Sequence, residues 1–170
     1  YFWIGGKTAE ELDAELEQRG PLTRQTGARH PGATEIKFGG DVSYVEQGGR
    51  CSIGSARVTL RTHIILPRWR NRNAATGNLA RIWDALSADI KRHEERHAEI
   101  ARTHARTLEA KLLAIRPANN CDILEKRVGE ISRDAIEAHD REQLRFDTIE
   151  SKNFDRRSMR ILKNRAASAN

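Results

Sequence analysis

The chain has 170 residues, of which 38% are hydrophobic, and it holds no apolar run near the ~18 to 20 residues of a membrane span, so it reads as one soluble domain with an adequate but not generous core. Its 30 basic residues against 24 acidic ones give a net charge of +6, most visible in the final stretch DRRSMRILKNRAASAN. No aromatic residues sit among those basic ones as stacking platforms, so nucleic acid is not the expected partner; such a run is more commonly a solvated tail, and it favours an anionic surface only weakly.

There are two cysteines, Cys51 and Cys121, and no C-x-x-C pair. That excludes a zinc knuckle or a thioredoxin-type motif and leaves two buried thiols or one long-range disulfide. The sequence starts at Tyr1 without Met or a signal peptide, as a mature or trimmed chain would, which is compatible with a secreted origin.

In chain order, YFWIG has the make-up of a strand, and Thr8 with Glu11 forms a capping box for the helix AEELDAELEQR, ended by Gly20 and Pro21. ATEIKF and DVSYVE, separated by Gly39 and Gly40, predict a hairpin. From Ser55 to Leu66 the pattern alternates, with Val58, Leu60, Ile64 and Leu66 on one face and Arg57, Thr59, Arg61, His63 and Ile65 on the other, until Pro67 stops it. Residues 1–70 are thus a sheet-rich half, mostly antiparallel, with one wet face.

After the linker RNRNAATGN the period changes. Leu79, Ile82, Trp83, Leu86, Ile90, His93, His97, Ile100, His104, Leu108, Leu112 and Ile115 recur by threes and fours on one helix face. RPANN, Arg116 to Asn120, predicts a turn, and a second helical run extends from Asp122 to Ile149 through Ile123, Leu124, Val128, Ile131, Ala135 and His139. The short connection implies antiparallel neighbours. The expected fold is α+β over a single domain, 1–170: a small, mostly antiparallel sheet with an N-terminal helix, packed on a long antiparallel helical hairpin at 78–150 and followed by a basic arm at 151–170.

The residues with the most specific chemistry are HEERH, His93 to His97. Four residues apart on a helix, His93 and His97 stack on one face within reach of one metal ion, and Glu94, rotated by ~100°, falls at the rim of the same site. In an H-E-x-x-H motif the imidazoles bind Zn²⁺, a third protein ligand completes the set, and the glutamate takes a proton from a zinc-bound water that attacks a carbonyl. Both histidines lie on the apolar stripe, where a buried imidazole needs a partner.

His104 is ~10.5 Å along the helix from His97, too far to share an ion. The metzincin continuation is absent, with Ile100 at its glycine position and Thr103 at its last histidine. Counting the helical rise back from the turn points to His139 as third ligand, with Glu142 and Asp147 as carboxylate alternatives. His30 and His63 read as structural or exposed.

With these residues in view, the chain resembles a bacterial family of uncharacterised domains described as predicted secreted zinc-dependent proteases and grouped with gluzincin-like peptidases. The resemblance rests on the aromatic start with GKTAEEL, Gly20 and Pro21, Cys51 followed by ARVTLRTHIILPRW, Trp83 ten residues ahead of HEERH, and Cys121 with Phe146 and Asp147. It implies a periplasmic or extracellular protein with a Cys51–Cys121 disulfide, a peptide or protein substrate, and Zn²⁺ held by His93, His97 and a third ligand, with Glu94 as general base. It also implies that an extended substrate lies along the Ser55 to Leu66 strand. This chain departs from the family pattern in having Lys152 and Asn153 where members carry His-Gly, and Arg96 where a small residue is usual. The alternative expectation is a catalytically inactive envelope interaction module on the same fold, with structural zinc or none.

Overall fold

A computed structural model describes residues 1–23, 27–75 and 77–167, with side chains through Ser151. The chain is α+β, in the order β1 (Phe2–Ile4), α1 (Ala9–Arg19), β2 (Ala33–Gln47), β3 (Arg50–Ile65), β4 (Pro67–Trp69), a 3-10 turn (Arg72–Ala74), α2 (Gly77–Leu113) and α3 (Cys121–Ala167). The sheet is two separate pairs. β2 and β3 form a long antiparallel ribbon, and β1 pairs in parallel with β4.

α1 starts at Thr8, whose hydroxyl accepts the Glu11 amide at 3.2 Å, while the Glu11 carboxylate reaches back to the Lys7 amide at 2.6 Å. It ends at Gly20, where a Cβ would stand 2.0 Å from the His30 carbonyl oxygen. Leu12 and Leu16 of α1 pack with Ile4, Trp69 and Trp83, so the inner face of the small parallel pair and the first turns of α2 share one core. Arg72 makes a two-pronged hydrogen bond to Asp84, at 2.7 and 2.6 Å, and ties the 3-10 turn to α2.

The hairpin differs from the expectation. ATEIKF and DVSYVE are one continuous strand, and the turn lies at Gly48 and Gly49, both with positive φ, 59° and 72°. Two consecutive residues in that region suit the tight turn whose twist matches a two-stranded ribbon. Gly39 and Gly40 are instead a place of close approach: a Cβ at Gly40 would stand 2.2 Å from the Arg57 carbonyl oxygen across the ladder. Ala56, Val58, Leu60 and Ile64 are half-buried and Arg57, Thr59, Arg61 and His63 exposed, as the alternation requires.

Cys51 and Cys121 form a disulfide, with Cα atoms 5.1 Å apart. Beside it, Cys51 and Ala118 exchange two backbone hydrogen bonds of 2.8 Å, so the connection between the long helices is stitched to the edge of β3. A second core of Cys51, Ala118 and Leu124 closes around this point, with Tyr44, Ile53 and Ile115 against it.

α2 and α3 run antiparallel, their contacts descending one helix as they climb the other: His93 with Asp147, His97 with Gln143, His104 with His139. This register is shifted from the one counted in the sequence, because the seven residues 114–120 span the gap rather than a tighter turn. No helix among the described residues is long and apolar enough to cross a membrane. Beyond Ser151, the side chains of the expected basic arm, Lys152 and Asn153 included, lie outside the described residues.

Candidate metal centre

Beyond its first turns, which pack on α1 and the β1–β4 pair, α2 lies between the β2–β3 ribbon and α3 and so buries a wide arc. Ala80, Trp83, Ile90, Glu94, Ala98, Ala101, Ala105, Leu108 and Leu112 are buried along it, and the histidines lie on its flank toward α3. Glu94 is therefore not at a rim. It is 5% exposed and sits beneath the start of β2, with Thr34 Oγ1 2.8 Å from its Oε2 and 2.9 Å from its own carbonyl oxygen. Burial raises the Glu94 carboxyl above its ordinary value; the Thr34 hydrogen bond and the charges of His97 and His93 oppose this, and Asp147 adds to it.

His93 and His97 meet the carboxylate of Asp147. The two Nε2 atoms are 3.0 Å apart, and Asp147 Oδ1 lies 3.0 Å from His97 Nε2 and 3.3 Å from His93 Nε2. Among the described residues these three are the group whose ligand atoms converge closely enough to hold a metal ion. Phe146, next in sequence to Asp147, stacks on His93 at 4.9 Å and presents an edge to His97 at 5.1 Å.

The donor set suits a cation. Spacings of 3.0 to 3.3 Å are those of atoms that can share one ion at about 2.0 to 2.2 Å, the range for imidazole and carboxylate on zinc. Two imidazole nitrogens and a carboxylate oxygen facing one another need positive charge between them, from a metal ion or from protons on the rings. Their electrostatics reflect this. Burial alone would lower His97, but hydrogen bonds to Asp147 and Gln143 and the charges of Asp147 and Glu94 raise it. Burial likewise works to raise Asp147, but hydrogen bonds from His93 and His97 hold it well below the usual carboxylate range.

Residues 1–154 match the family described as "Bacterial protein of unknown function (DUF922)". The chain belongs to this family. No curated protein and no solved structure matches it.

Against that background of a family without an assigned activity, the placement of the remaining candidates in this member is informative. His139 does not join His93 and His97. Its ring makes a T-shaped contact with Phe38 at 5.0 Å and lies 5.6 Å from the His104 ring, about one turn along the hairpin. Glu142 accepts from His104 Nε2 at 2.9 Å, and it is Asp147, among the three positions weighed from spacing, that reaches the histidines. His63 is exposed and 3.3 Å from Glu35, and the His30 amide donates to the Pro21 carbonyl oxygen. Sequence reasoning passed over Thr34, Gly32 and Gln143. Gln143 was the most accessible of them, a polar residue four beyond His139 on the same stripe.

Proposed function

We propose that this protein is a zinc-dependent peptidase of an oxidising compartment, with His93, His97 and Asp147 as zinc ligands and Glu94 as general base. The observation that carries the reading is the convergence of three donor atoms beside a buried carboxylate on the same helical turn. Bound zinc would supply Lewis acidity, acidifying a water and polarising a peptide carbonyl.

The chain's own residues do the rest. Glu94, with its proton affinity raised by burial, would receive the proton of the water and return it to the leaving amine. Thr34 anchors one of its oxygens and leaves Oε1 for the water. Asp147 balances charge beside the imidazoles.

The ribbon offers the substrate a place to lie. On β3 the outer edge is engaged, with the Cys51 amide on Ala118 and the Val58 amide on Glu109 at 2.7 Å. By ladder alternation the matching outward groups on β2 belong to Thr34, Ile36 and Phe38. Their edge begins beside Glu94, so an extended peptide fits β2 better than the Ser55 to Leu66 strand.

The Cys51–Cys121 disulfide supports a periplasmic or extracellular location. A second reading, an inactive envelope module with structural zinc, is favoured by the covered position of Glu94, 5% exposed. Zinc content by elemental analysis, together with peptide hydrolysis by wild type and Glu94→Gln, separates the two. A peptidase loses hydrolysis and keeps zinc in the variant; hydrolysis at the wild-type rate would remove Glu94 as base, and zinc without hydrolysis in either protein would favour the module.

A further inference from the structure

Three polar side chains are buried among the described residues, and two of them, His139 and Gln143, have no part in the reaction proposed above. They are joined to it by a directed set of hydrogen bonds. Gln143 Nε2 lies 3.1 Å from the carbonyl oxygen of His97 and 2.8 Å from His139 Nε2. A backbone carbonyl only accepts, so the nitrogen of the Gln143 amide has to face it, and this fixes which way round the amide sits.

The consequences follow in both directions. Gln143 Oε1 then faces His97 Nδ1, and since an amide oxygen only accepts, that nitrogen carries the proton. His97 Nε2, on the other side of the ring, faces His93 Nε2 and Asp147 Oδ1 and is the ring nitrogen open to a metal ion. On the other side His139 Nε2 must accept from Gln143, which puts the His139 proton on Nδ1, where Asp140 Oδ1 lies 3.0 Å away. An inverted amide would set its oxygen against two acceptors at once, and at 4% exposure no water can repair that.

We propose that Gln143 is a positioning residue that accepts the His97 Nδ1 proton and so aims Nε2 at the ligating position, and that His139 with Asp140 keeps Gln143 from turning over. Ligating imidazoles commonly donate the other ring N–H to a fixed acceptor, and loss of that acceptor weakens metal binding. His139 thus belongs two hydrogen bonds behind the metal instead of on it. The inference rests on the zinc reading only for its effect on affinity; the Gln143–His97 hydrogen bond is a property of the metal-free protein.

The test is long-range ¹H–¹⁵N NMR of the histidine rings in the metal-free protein, paired with zinc titration. Wild type should show a proton on His97 Nδ1, and a bare Nδ1 would overturn the proposal. Gln143→Leu should speed exchange of that proton with solvent and give a zinc Kd weaker by about 10 to 100-fold, with the His93 signals marking the fold as intact. His139→Ala should still bind one zinc, more weakly; complete loss of binding would make His139 a ligand and sink the assignment. A wild type with the Nδ1–H form that binds no zinc would uphold the positioning and overturn the zinc reading alone.

Discussion

Gly32 lies directly over Glu94: a Cβ at position 32 would stand 2.9 Å from Oε1 and 3.0 Å from Cγ of that residue, and 2.8 Å from Ile90 Cγ2. The missing side chain is what gives the buried carboxylate its room. Gly32→Ala should therefore push the carboxylate off Thr34 and cost about 1 to 3 kcal/mol by overpacking, with hydrolysis falling more than zinc content. Gly129→Ala is the contrasting case. Its Cβ would meet only Arg133 Nη1 at 3.6 Å, and inside a helix the change should stabilise by roughly 0.5 to 1 kcal/mol. Urea titration of both variants reads the difference, and equal effects would mean that the space over Glu94 is not limiting.

Asp147→Ala removes the one carboxylate among the described residues that meets both histidines. Zinc affinity should fall by at least the ~10 to 100-fold that loss of a ligand's hydrogen-bond partner costs, while Glu142→Ala leaves it nearly unchanged. Calorimetric titration of both variants decides; the reverse pattern would move the oxygen ligand to Glu142.

The disulfide joins residues 70 apart in sequence. Closing a loop of that size in the unfolded chain is worth roughly 4 kcal/mol, and Cys51 is fully buried. Replacing both cysteines by serine should lower stability by about that amount, measured by denaturant unfolding under oxidising conditions. A loss under ~1 kcal/mol would show that native strain offsets the cross-link.

The Arg72 hydrogen bonds hold the Asp84 carboxyl below its usual range, and Asp84 in turn raises Arg72. A carboxyl depressed in the folded state contributes stability above its unfolded pKa of ~3.9 and loses it as pH falls through the folded value. The melting-temperature gap between wild type and Asp84→Asn should thus be present at neutral pH and close in strong acid. The pair is exposed, so the gap is small and shrinks with salt. A gap that widens on acidification would assign the contact another role.

Much of the local structure was legible in the sequence because it depends on neighbours in the chain. Thr8 and Glu11 mark their helix through bonds that span three and four residues, and the alternation after Ser55 follows from the pleat alone. The hairpin turn was misread because Gly39–Gly40 and Gly48–Gly49 offer the same local signal, and only the partner strand shows that the first pair is an approach to Arg57. His93 and His97 were found as a stacked pair, but their companion depended on where α3 starts, which the Cys51–Ala118 stitch sets from another part of the molecule. Glu94 went to the rim in the sequence reading because one helix face was considered, whereas α2 is covered from two sides.

α3 is pinned by its first residue, Cys121, and delivers the Asp147 carboxylate about 39 Å further along an unbroken helix. The stretch between them works as a ruler with a phase. Adding or removing one residue there changes the reach by only ~1.5 Å but swings the carboxylate through ~100°, away from both imidazoles. Distance along the rod is forgiving, and angle about it is not. Any permissible change of length in this stretch therefore comes close to whole turns, three or four residues at a time.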